Sequence, residues 1–147
     1  MIPASASEAR APRVDEPFIS SDLAFEAARL QASREYAVEG HAGRTLTKYP
    51  ELRVVLEAMK AGTRLPFHET GEQLTLHVIL GQLRVWLPFA DNCDLFEGSF
   101  AASEAGRVHE VEALQDCAFV LTLAWPPMAE AGRAAVVTDD GADGTGY

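Results

Sequence analysis

Apolar positions recur along this chain at two periods, and the change falls near Arg44. Ahead of it, Leu23, Ala27, Leu30 and Arg34 repeat at helical spacing with Phe25 and Ala28 beside them, while Glu26, Arg29 and Glu35 fill the water-facing positions. Ser20, Ser21 and Asp22 precede this run as N-cap residues and Gly40 and Gly43 follow it as stops, which predicts a helix from about 22 to 36. Beyond Arg44 the period shortens to two. Thr45-Leu46-Thr47-Lys48-Tyr49 alternates and ends at Pro50. Leu52 to Met59 contains good helix formers, but its short span and central Val54-Val55 pair favour a strand. Leu74–Leu80 and Leu83–Leu87 make a hairpin about Gly81, closed by Pro88 and the Asp91-Asn92 loop. Asp94–Gly98, Phe100–Ala102, Val108–Ala113 and Ala118–Trp125 complete the series, the last two joined by a turn at Gln115-Asp116. Roughly eight short strands, punctuated by turn residues, predict an all-β sandwich or small barrel.

The ends of the chain break this pattern. Residues 1–17 mix Ala, Ser, Pro, Glu and Arg without periodicity and read as a disordered arm; 18–43 is the helical segment, 44–126 the barrel, and 127–147 a disordered tail beyond Pro126-Pro127. Asp139-Asp140-Gly141 in that tail lacks the alternating oxygen ligands and closing glutamate of a calcium loop. The length of 147 residues fits one domain, and 48% hydrophobic residues supply a core. A formal net charge of −10 argues against nucleic acid or an anionic membrane as partner. No apolar run approaches membrane-spanning length and no signal-peptide core follows the N-terminus, so a cytoplasmic location is expected. Cys93 and Cys117, with no Cys-x-x-Cys motif, are expected to be reduced thiols, at least one of them buried.

Two glycine-to-histidine spacings frame the centre of the chain. Gly62 is followed after five residues by His68, and the same segment reaches Gly81; Gly98 leads through Gly106 to His109. In these spacings residues 44–125 resemble the paired motifs of the cupin superfamily, and the resemblance extends to small bacterial single-domain cupins of uncharacterised role. It implies a double-stranded β-helix, the jelly-roll barrel, with a short N-terminal helix. Metal-binding cupins commonly use three histidines and a glutamate. Here His68 and His109 keep their places, while Thr70 and Leu74 occupy the other two, and Glu104 and Ala113 replace the second motif's proline and asparagine.

The resemblance therefore implies a divalent metal (Zn, Fe, Mn or Ni), held loosely by His68 and His109. Glu72 shares strand parity with His68 and is a third candidate ligand. His77 has the opposite parity and joins them only across a bulge. Arg64 and Arg107 flank the histidine turns, where an inward-facing arginine would clamp a carboxylate or phosphate, and Trp86 is a candidate wall for an apolar pocket. The expected function is binding of a small molecule or a metal in the barrel, with no catalytic residue assigned. The alternative is a metal-dependent isomerase or oxygenase using His68 and His109. An acid–base epimerase ranks last, because Tyr36, Tyr49 and Tyr147 all lie outside the motif stretch. Cupins of this kind commonly pair, so a homodimer is expected, with the N-terminal helix covering a sheet edge.

Overall fold

The computed structural model describes residues 13–67, 72–88, 90–105, 107–108 and 110–125. The N-terminal segment forms two helices rather than one, α1 (Leu23–Gln31) and α2 (Arg34–Glu39). Asp22 caps α1 by accepting the Phe25 N–H at 3.1 Å. The expected continuation to residue 36 fails at Ala32, because the Ser33 hydroxyl accepts the Tyr36 N–H at 3.2 Å and starts a new helix. Gly40 ends α2 in the left-handed conformation, at φ +85°.

Among the described residues nine strands follow: β1 (His41–Tyr49), β2 (Leu52–Met59), β3 (Arg64–Pro66), β4 (Gln73–Leu80), β5 (Gln82–Trp86), β6 (Cys93–Phe96), β7 (Phe100–Ser103), β8 (Glu110–Ala113) and β9 (Cys117–Ala124). β1 begins at His41, so Gly43 lies within a strand instead of stopping a helix. The strand with no counterpart in the sequence reading is β3, three residues that include a proline. It is held to β8 through the pairs Arg64↔Glu112, Leu65↔Val111 and Pro66↔Glu110.

The strands form two antiparallel sheets, one ordered β1-β2-β9-β4-β7 and the other β3-β8-β5-β6. β4 and β5 do not pair as the expected hairpin about Gly81, because they belong to different sheets; the links from β4 to β5 and from β6 to β7 pass between the sheets at Gly81 (φ +80°) and Gly98 (φ +87°). At Gly81 a side chain is doubly excluded: φ is positive, and a Cβ would collide with the Asp116 carbonyl and the Cys117 backbone. This is the jelly-roll architecture. Its main core fills the space between the sheets around Met59, Leu76, Leu83, Val111 and Phe119. A second core joins the outer face of the five-stranded sheet to the helices, through Ala27, Tyr36, Leu46, Leu56 and Ala118. The helices cover the β1–β2 side of that face. Part of the expected disordered arm is tied down, since Lys48 N–H donates to the Val14 carbonyl at 2.8 Å and Tyr49 Oη to that of Glu16 at 2.7 Å. The expected tail at 127–147 lies outside the described residues. Among those described, no helix is long and apolar enough to cross a membrane.

Candidate functional site

Strand alternation decides which side chains reach the space between the sheets. On β4, Leu74, Leu76 and Val78 point into the main core. Glu72 continues that alternation one step ahead of the strand. It is 7% exposed, and its Oε1 has no hydrogen-bond partner among the described residues. On β2, Val54, Leu56 and Ala58 face the helices, which turns Arg53, Val55, Glu57 and Met59 inward. The unbroken register with β9 sets these four opposite Leu123, Leu121, Phe119 and Cys117. Arg53, Leu123 and Leu74 thus lie in one cross-strand row on the inner face. The Arg53 Nε is buried without a partner among the described residues, and its guanidinium lies 6.0 Å from the centroid of the Trp125 ring.

Between the sheets, on the β4–β7 side, a cavity of about 370 Å³ opens to the surface. Leu74, Leu76, Val85, Leu87, Ala101 and Val108 give it an apolar wall. Arg107, Glu104 and Cys93 stand at its boundary. Arg107 is largely exposed and pairs with Glu104 at 3.7 Å. Leu74 holds the place where the paired-motif resemblance puts a metal-binding glutamate, and here its side chain forms part of the cavity wall.

Those residues singled out from the sequence that the structure describes are spread over several surfaces. His68 and His109 lie outside the described residues. His77 is exposed on the outer face of the five-stranded sheet, opposite Phe100 and Val120, and no bulge turns it inward. Arg64 and Trp86 do not face the cavity. On β5, Leu83 and Val85 are the buried residues, so Gln82, Arg84 and Trp86 point outward, and Arg64 joins them through β8. There Arg64 pairs with Glu110 and lies 4.7 Å from the Trp86 centroid, Trp86 Nε1 donates to Glu112 at 3.1 Å, and Arg84 pairs with Asp94 at 2.7 Å. The arginine that sequence reasoning missed is Arg53. Both faces of β2 are largely apolar, so its direction was set by where the helices pack.

Glu57 is a second ionisable group on the inner face. Its carboxylate lies over Gly43 on the neighbouring strand, in the space a Cβ there would occupy, and 4.0 Å from His41 Nδ1. Burial, reinforced by the charge of Glu35, raises its pKa from 4.5 to about 7.

The metal implied by the motif resemblance meets a partial donor set. Among the described residues, no three His, Cys, Asp or Glu side chains are grouped closely enough to hold a metal ion. Leu74 offers no donor, whereas Glu72 brings a buried carboxyl oxygen to spare.

No protein-family model matches the chain, and no curated protein matches it in sequence. Solved structures do. The chain is similar to a conserved Streptococcus pyogenes protein of unknown function, SPY1581, at 16% identity and a TM-score of 0.62, over 80% of this chain and 96% of that one. It is similar to an RmlC-like cupin from Desulfovibrio desulfuricans at 18% identity and a TM-score of 0.58, over 76% of this chain and 100% of that one. Oxalate decarboxylase from Lactobacillus farciminis, solved as a formate complex, matches at 26% identity and a TM-score of 0.54, over 63% of this chain and 30% of the enzyme.

Proposed function

We propose that this chain, which has the cupin fold, binds a small molecule in the apolar cavity between its sheets. The observation that carries this reading is the cavity itself: about 370 Å³, open at one side, and walled by aliphatic side chains. An aliphatic wall of this kind favours a ligand with an apolar body, because the free energy available scales with the apolar surface withdrawn from water. Leu74 extends that wall over the position of the family's glutamate.

The test is calorimetric titration with octan-1-ol as an apolar probe. Wild-type protein is expected to bind it, and Ala101→Trp, which fills the cavity, to lose binding. Ala101→Leu serves as the milder variant should the tryptophan disturb folding. Equal heats from wild type and variants would place the probe elsewhere and refute the reading.

A second reading, a metal-dependent isomerase or oxygenase, is favoured by Glu72. A buried carboxyl oxygen without a partner costs free energy unless something engages it. A divalent ion bound by His68, Glu72 and His109 would supply Lewis-acid chemistry or activate dioxygen. Equilibrium dialysis against Zn²⁺, Fe²⁺, Mn²⁺ and Ni²⁺, followed by metal analysis, is the check. One ion per chain, lost in His109→Ala and Glu72→Gln, supports it; substoichiometric metal in the wild type counts against it.

A further inference from the structure

We propose that Arg53 anchors the carboxylate of the cavity's ligand, which makes that ligand a monocarboxylic acid with an apolar body. This rests on the reading that the cavity binds a small molecule, and it names the chemistry of the polar end.

Four observations support it. Arg53 lies on the inner face, fixed there by the continuous β2–β9 register and by the packing of Val54, Leu56 and Ala58 against the opposite face. Its Nε is buried with no hydrogen-bond partner among the described residues. By contrast Arg64, Arg84 and Arg44, on outer faces, have Glu110, Asp94 and Glu26 as partners. A buried guanidinium N–H left unpaired is costly, and an incoming acceptor removes the cost. The Trp125 ring lies 6.0 Å away and supports the cation. Finally, Arg53 shares a cross-strand row with Leu74, one strand removed through Leu123. Two inter-strand steps put their backbones about 10 Å apart. Arg53 lies outside the cavity's own lining, so a ligand chain lying on Leu74 meets the guanidinium only by extending over Leu123 along this row.

The charge count selects the head group. One guanidinium edge, Nε with one Nη, matches one carboxylate through two parallel hydrogen bonds. A phosphate dianion carries more charge than the one buried cation neutralises. Lys48, the β1 partner of Arg53 in the strand register, adds positive potential on the same face without itself being buried. Arg53 stands outside the cavity's aliphatic wall, so the ligand's apolar part and its anionic end are read by separate surfaces.

The experiment compares octanoate with octan-1-ol by calorimetry at pH 7, on the full chain. Wild type is expected to bind octanoate about tenfold or more tightly than the alcohol, the order of gain from one charge-assisted pair. Arg53→Gln is expected to lose the preference for octanoate over octan-1-ol; Arg53→Met is the substitute if the glutamine variant does not fold. The proposal is overturned if wild type binds octanoate no better than the alcohol, or if the preference survives loss of the guanidinium. In both cases binding of octan-1-ol still upholds the cavity. Binding of neither probe removes the proposal and the reading beneath it together.

Discussion

Replacing Glu57 by glutamine should flatten the dependence of stability on pH in one defined window. Glu57 faces the interior from β2, its carboxylate seated over Gly43 and beside His41, and burial with the nearby Glu35 charge raises its pKa from 4.5 to about 7. The folded protein therefore holds a proton that the unfolded chain has released between those two values. Stability must fall as pH rises through the window; the penalty is absent below 4.5 and complete above about 7. At about 1.4 kcal/mol per pH unit, the interval amounts to about 3 kcal/mol. Glutamine keeps the shape and removes the ionisation. Urea unfolding of wild type and Glu57→Gln at intervals from pH 4.5 to 8 should show the two curves diverging, the variant gaining about 3 kcal/mol relative to wild type across the range. Groups common to both proteins cancel in the difference. Repeating the pair in a His41→Asn background separates the carboxyl from the adjacent imidazole. Curves that run parallel within about 0.5 kcal/mol would refute the assignment of a buried, protonated Glu57.

Two further outcomes follow from packing. Gly81→Ala sets a Cβ against the Asp116 carbonyl at a residue with φ +80°, and should cost about 3 kcal/mol or more in urea unfolding; a loss under about 1 kcal/mol would mean that the β4–β5 connection yields. Cys117 is buried, with its pKa pushed up to about 12, while Cys93 is exposed, so a thiol reagent at pH 8 should label one cysteine per native chain and two after unfolding; two fast native thiols would contradict the burial.

Much of the fold was legible in the alternation of the chain. β2 spans Leu52–Met59 as read from the Val54-Val55 pair, and the turn glycines Gly62, Gly81 and Gly98 all adopt positive φ. β3 escaped because three residues ending in proline carry no period; its pairing with β8 is tertiary. Ser33 falls within the helical period of the sequence, yet its hydroxyl serves as a cap and divides the helix in two. At the site, parity already argued against His77, and the alternation of Leu83 and Val85 with Arg84 and Trp86 carried the information that Trp86 faces outward. The inward direction of Arg53 is not carried by the sequence pattern. Val54, Leu56 and Ala58 on one side, and Val55 and Met59 on the other, make either face of β2 suitable for burial. Only the docking of α1 and α2 against the first set decides that the arginine points in.

The most direct test of the central claim is a methyl NMR titration of isotope-labelled protein with octan-1-ol. The account predicts that the methyls of Leu74, Leu76, Val85 and Leu87, which line the cavity, shift together along one saturating curve, while those of Leu30 and Val54 in the helix-side core stay in place. Shifts confined to the helix-side core, or no saturable shift at the four cavity residues, would contradict it.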